Sequence, residues 1–293
     1  DSCFHRARRR KRRRLFSTEK RGGGTHMARE LEGQVALVTG GGRGFGRAIA
    51  MGLAAEGASV TVTARSTLQI DETVALIKAA GGKAFAVPGD VTNRRDVERV
   101  VSAARRHFGP ATLLVNNAGV AGPFGPIGRV DPDEWWAAQA VHVRGPFLFM
   151  SGVLPEMIQA KKGRIVNVAS PGGTRVEPSL SACCVGKAAQ IRLTGQVAAE
   201  VKADGISAFA IEPGTVYTGM VEATLQDPDA QRWVPGMLSF LQNVRDTEDP
   251  ARGFARCASM CVRLASGRYD ALTGRYLAPE DDFDALLKQV RTG

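Results

Sequence analysis

From Gln34 onward the chain alternates short apolar runs with longer stretches of helical periodicity, and no other feature limits the possible folds as strongly. VALVT (35–39), SVTVTA (59–64), AFAV (84–87), TLLVN (112–116), RIVNVAS (164–170) and ISAFAI (206–211) read as strands, with a last short strand, GRYLA, at 274–278. Between them helices are predicted over 45–56, 68–80, 94–107, 131–160, 181–203, 219–243 and 248–265. Gly81-Gly82 suits a helix C-cap, and Asp131-Pro132 suits a cap and first turn. Strict alternation of β and α units implies a parallel sheet with helices on both faces. Right-handed crossovers make such a sheet doubly wound, and it binds ligands at the carboxyl ends of its strands.

At 293 residues, 44% hydrophobic and 23% charged, the chain has an ordinary globular composition. No apolar run reaches the length of a membrane span. The net charge of +10 is concentrated at one end: the first thirty residues hold eleven Lys/Arg against three acids, and the rest holds 28 against 26. The body therefore gives no reason to expect nucleic acid as a partner. The stretch HRARRRKRRRLFSTEKRGGGTHM has no apolar period and ends in a glycine run. It reads as a nucleic-acid or nuclear-localisation segment, as an Arg-rich transit peptide, or as an extension before a natural start at Met27. Residues 1–30 are expected to be a disordered basic tail, and residues 31–293 a single domain. Five cysteines without a spaced framework suggest reduced thiols and a cytoplasmic protein. Cys257 and Cys261, four apart, suit buried helix positions. The histidines (5, 26, 107 and 142) offer no metal-ligand spacing with the cysteines.

The first strand runs into TGGGRGFG, where Gly40, Gly44 and Gly46 have the spacing G-x-x-x-G-x-G. Glycines there allow a tight turn and close approach of backbone to a pyrophosphate, and the N-terminus of the next helix favours its charge. NNAG (116–119), RIVNVAS and EPGTVYTGM (212–220) follow in order. With these four motifs, the chain from Leu31 to about Leu287 resembles the short-chain dehydrogenase/reductase family in its single-domain form. The resemblance implies a three-layer α/β/α Rossmann fold on a mostly parallel seven-stranded sheet. It also implies a nicotinamide cofactor and hydride transfer to or from a carbonyl or alcohol carbon of a small molecule.

Within that resemblance, Gly40, Arg43, Gly44, Phe45 and Gly46 of the turn are expected at the cofactor. So are Asp90 and Val91 near the adenine, the stretch Asn116, Asn117, Ala118 and Gly119, and Pro213, Gly214, Val216 and Thr218 near the nicotinamide and phosphates. The second strand ends in Ala64-Arg65-Ser66, with no acid to accept from an NAD ribose. Arg65, joined by Arg43, suits a 2′-phosphate, so NADP(H) is expected over NAD(H). The bland readings are that both arginines are solvated and that Asp90 caps the helix beginning near Asn93.

The family's active site uses Asn, Ser, Tyr and Lys, with Tyr four residues before Lys. Ser170 stands at the carbonyl-orienting position. Lys187 matches the lysine that holds the nicotinamide ribose and lowers the tyrosine pKa. Four residues before it stands Cys183, and VHVRGPF in place of VNVRGPF puts His142 where the Asn belongs. A thiol has an unperturbed pKa of about 8.5, and the charge of Lys187 is expected to lower it. Its shortfall against a phenol is reach. His142 is expected to carry a proton near neutral pH and to relay it through water and Lys187. Alternatively these residues merely pack, or Cys183 is a covalent nucleophile.

Three functions fit the motifs. One is an NADP(H)-dependent oxidoreductase interconverting ketone or aldehyde and alcohol with a non-standard relay. Another is a cofactor-binding protein without redox turnover. The third is a non-redox enzyme of cyclase or hydratase type. Segment 219–243 lies where the family places its substrate lid, and Met220, Trp233, Met237 and Phe240 suit either an apolar wall or a core stripe. The resemblance also suggests a homodimer or homotetramer through helices 131–160 and 181–203, to which Trp135 and Trp136 would add area.

Overall fold

The computed structural model describes residues 29–292, so the expectations for the basic segment lie outside the described residues. The strands are β1 (Val35–Thr39), β2 (Ser59–Thr63), β3 (Lys83–Ala86), β4 (Leu113–Asn116), β5 (Gly163–Val168), β6 (Ile206–Ile211) and β7 (Tyr276–Leu277). They form one sheet in the order β3-β2-β1-β4-β5-β6-β7, and every pair is parallel. The order reverses between β1 and β4, which opens a crevice at their carboxyl ends.

The helices are α1 (Gly44–Ala55), α2 (Thr67–Ala79), α3 (Arg94–Phe108), α4 (Pro132–Gln139), α5 (Gly145–Ala160), α6 (Ser181–Val201), α7 (Gly219–Gln226), α8 (Pro228–Trp233), α9 (Pro235–Thr247), α10 (Pro250–Ala265) and α11 (Phe283–Thr292). One core lies between the sheet and α1, α2, α10 and α11, with Val38, Val166, Phe209, Leu53 and Met260. The other lies between the sheet and α3, α5 and α6, with Leu37, Ile165, Val100, Phe149 and Val197. The central strands are mostly apolar because both faces are covered, and all six residues of β6 are buried. Cys257 and Cys261 are fully buried in the first core, as their spacing suggested.

Several features depart from the sequence reading. The expected helix 131–160 is interrupted by a π-helical turn, Ala140–Arg144, which carries His142. The expected helix 219–243 is three helices. Asp227 caps the second, and Pro228 and Pro235 open the second and third, because proline suits a first turn and not a helix interior. The terminal helix α11 has no counterpart among the predicted elements. The strand expected over 274–278 is reduced to the two residues of β7.

Candidate active site

The crevice begins at the turn after β1. Thr39 Oγ1 accepts hydrogen bonds from the backbone N–H groups of Asn117 (3.0 Å) and Ala118 (3.1 Å). In return Asn117 Nδ2 donates to the carbonyls of Thr39 (2.9 Å) and Gly40 (3.2 Å). The ends of β1 and β4 are thereby locked together, and only glycine fits between them. A Cβ on Gly40 would lie 2.9 Å from Ala118 Cα, and one on Gly46 would lie 2.2 Å from the Gly40 oxygen. At Gly44 (φ 55°) the nearest atom to such a Cβ is Thr218 Cγ2, at 3.8 Å, so this side of the turn is open. α1 starts directly behind it, with no acid in its first turn and no side-chain cap from Arg43. Free N–H groups, a positive helix end and a backbone cradle fit a pyrophosphate.

The other expected cofactor residues surround this cradle. Arg65 is exposed just past β2, and Gly89 N–H donates to the Ala64 carbonyl at 3.0 Å, bringing the loop after β3 alongside. Arg43 is exposed but lies over the start of α7, its Nη1 2.9 Å from where a Gly219 Cβ would stand. Asp90 accepts from Thr92 N–H and Oγ1–H, both at 2.8 Å, while Asn93 caps α3. The capping reading of Asp90 is thus corrected: the carboxylate holds its own turn. Val91 is buried against Gly145, and Phe45 meets Phe254 edge-on at 5.3 Å. Pro213 and Gly214 come one residue after β6, beyond Glu212, the latter at φ 80°. Val216 is buried against Gly253, and Thr218 Oγ1 caps α7 by accepting from Val221 N–H at 3.3 Å.

Past β5, Ser170 accepts from Gly172 N–H at 3.3 Å and turns the chain into a short 3-10 segment, Pro171–Gly173. That segment packs on α6: a Cβ on Gly173 would lie 2.8 Å from the Lys187 carbonyl carbon. Residues 183, 187, 190 and 194 follow helical spacing along one stripe of α6. Cys183 is a free, partly buried thiol. Lys187 is 7% exposed, and its Nζ donates to the Val168 carbonyl (2.6 Å) and to Gln190 Oε1 (3.0 Å). Cys184 lies toward the Pro171–Gly173 segment, its Sγ 3.2 Å from where a Gly172 Cβ would stand.

His142, 1% exposed, approaches α6 from the π-helical turn. Gly186 makes the room: a Cβ there would lie 2.8 Å from His142 Cβ. His142 Nε2 is 2.9 Å from the Val120 carbonyl, which can only accept, so in the neutral ring Nε2 carries the hydrogen. Nδ1 is then a bare acceptor, buried and without a partner among the described residues.

These surroundings correct two expectations about protonation. Burial, aided by the Lys187 charge, drives the His142 pKa down to about 3 despite the Val120 carbonyl, so the ring is neutral at pH 7. Burial also raises the Cys183 thiol above its ordinary value and outweighs the pull of Lys187. Lys187 itself falls to about 8, again through burial, with Cys183 opposing.

Above the site, Phe124 packs with Ala230, Val234, Leu238 and Leu241 of the 219–247 segment, and Leu180 and Met237 lie beside them. Of the four residues expected to form an apolar wall, Met220 and Phe240 are 40% and 53% exposed and Met237 joins this cluster. Trp233 lies under the guanidinium of Arg232, 4.6 Å from its ring centre. Two residues near the site carry no clear signal in the sequence: Thr39, an ordinary strand residue by pattern, and Gln190, which only its spacing from Lys187 could have flagged.

A parallel sheet with a glycine cradle at its switch point defines a dinucleotide-binding protein. Residues 34–229 match the short chain dehydrogenase family, and the chain belongs to it. A short chain dehydrogenase of Pseudocercospora fijiensis (strain CIRAD86) is 34% identical over 267 residues, covering 89% of this chain and 84% of that protein. 2-(S)-hydroxypropyl-CoM dehydrogenase 3 of Xanthobacter autotrophicus (strain ATCC BAA-1158 / Py2) is 36% identical over 200 residues, 68% of this chain and 78% of that one. Among solved structures, a metagenomic short-chain oxidoreductase in complex with NADP superposes with a TM-score of 0.68 at 27% identity, covering 85% of this chain and 97% of that one. The protein is an oxidoreductase of this class. Among the described residues, no helix is long and apolar enough to cross a membrane.

Proposed function

We propose that the protein is an NADP(H)-dependent reductase of a small ketone or aldehyde in which Cys183 stands in for a tyrosine proton donor. The observation that carries this reading is the buried Lys187 ammonium, one helical turn behind Cys183 and tied to β5 two residues before Ser170. Gly40, Gly44 and Gly46 hold the pyrophosphate, Arg65 and Arg43 the 2′-phosphate, and Lys187 the nicotinamide ribose. The bound cofactor supplies the hydride. Ser170 Oγ–H donates to the substrate carbonyl oxygen. The Cys183 S–H bond breaks as its proton passes to that oxygen, and the thiolate, its charge offset by the nearby Lys187 ammonium, regains a proton from solvent water. His142, being neutral, contributes an acceptor at Nδ1 for water rather than a charge. Burial keeps the Cys183 thiol protonated, the form a proton donor requires, and at the same time makes it a weaker acid.

The free thiols support a reducing, cytoplasmic setting, and residues 31–293 act as one domain. The test is NADPH binding followed by fluorescence, then loss of NADPH absorbance with a panel of ketones. NADPH binding without turnover of any ketone would favour the second reading, a cofactor-binding protein. The shorter reach of Cys183 is the observation behind that alternative.

A further inference from the structure

The inner stripe of α6 contains two polar side chains that the steps above do not use, Gln190 and Thr194. Gln190 is fully buried, at 0% exposure, where an aliphatic residue would pack. Its Oε1 accepts from Lys187 Nζ at 3.0 Å, while its Nε2 has no partner among the described residues. Burying half an amide unsatisfied is a cost that a leucine would not carry, so packing alone does not account for it. The contact also orients the amide. An ammonium has only donors, so the oxygen must face it and the NH2 must turn away. The residue is anchored from behind as well. Its backbone carbonyl accepts from Thr194 Oγ1 (2.8 Å), Thr194 Oγ1 accepts from Asn167 Nδ2 (2.9 Å), and Asn167 Oδ1 accepts from Asn116 Nδ2 (2.8 Å).

We propose that Gln190 is a positioning residue whose Oε1, together with the Val168 carbonyl, fixes the Lys187 ammonium behind Cys183 and leaves its third N–H for a ribose hydroxyl. This rests on the reading of Lys187 as the residue that holds the cofactor. The groups around the ammonium are few. On α6 there is Cys183, and on the π-helical turn the neutral His142. β5 offers the Val168 carbonyl and neutral Asn167, and the Pro171–Gly173 segment has no charge. Glu212, at the end of β6, accepts instead from Tyr276 Oη–H at 3.3 Å. Gln190 is therefore the side-chain acceptor that sets how firmly Lys187 keeps its proton.

The experiment uses the full chain with lysine labelled with carbon-13 at Cε, without cofactor. The Lys187 signal is assigned by its absence in Lys187→Arg. Its titration midpoint is followed in the wild type, Gln190→Leu, Gln190→Met and Gln190→Glu. Losing an acceptor destabilises the ammonium, so the Leu and Met variants lower the midpoint by about one pH unit; a carboxylate raises it by a similar amount. The pH at which NADPH affinity falls away moves in the same order. A space-filling role would shift only the melting temperature. The same midpoint in every variant that folds overturns the proposal. Opposite shifts in proteins that never bind NADPH leave the positioning role standing and refute the cofactor reading instead.

Discussion

Replacing Lys187 by methionine tests the electrostatics of the site through stability alone. The side chain is 7% exposed, and burial takes its pKa from 10.5 to about 8. The unfolded chain keeps its proton up to 10.5, while the folded protein releases it near 8, so between these values the unfolded state binds more protons. Stability must therefore rise with pH through this window, and the gain is absent below its lower end. The full difference is worth about 3 kcal/mol. Cys183 acts in the opposite sense: its raised pKa withdraws stability as pH rises past its ordinary 9.0. The comparison is therefore made in a Cys183→Ala background, with urea unfolding of proteins with and without Lys187→Met across the same pH window. The stability of the protein that keeps Lys187, minus that of the Lys187→Met variant, should climb by about 3 kcal/mol from the bottom of the window to the top. A flat difference would refute the claim that a desolvated ammonium sits behind residue 183.

Cys183→Tyr should raise ketone reduction by about 10²-fold in an NADPH absorbance assay, with His142→Asn adding to it, because a phenol recovers the reach that the thiol lacks. If the variant is slower than the wild type, the thiol is the adapted donor. Arg65→Asp should weaken NADPH binding about tenfold or more, with NADH unharmed, when both are titrated by fluorescence. The exposed Trp136, Phe147 and Val185, on α4, α5 and α6, lead us to expect a homodimer or homotetramer that Trp136→Glu dissociates, as light scattering would report.

The sheet could be read from sequence because each buried strand is a compact apolar run, and Gly40, Gly44 and Gly46 marked the cradle by chemistry that only glycine satisfies. Asp131 caps α4 where its residue type suggested, whereas α3 is capped by Asn93 and not by Asp90. The break at Pro228 and Pro235 was available in the sequence but was masked by the apolar period of the segment around it. The π-helical turn was not, since Ala140–Arg144 has no residue that demands a widened turn. The same limit explains the protonation errors. Whether His142 is charged depends on how deeply its ring is buried between Gly186 and the Val120 carbonyl, both distant from it along the chain. Residue type sets a pKa only before burial acts on it.

The hydrogen-bonded series from Asn116 through Asn167 and Thr194 to Gln190 and Lys187 ends one turn short of Cys183. Position 183 therefore belongs to the same helix stripe without being needed to hold it together. A lineage can exchange the side chain there, phenol for thiol or the reverse, without first dismantling the support of the lysine. Such a site can change its acid while keeping its folding, and residue 183 becomes a place where new chemistry can be tried at little structural risk.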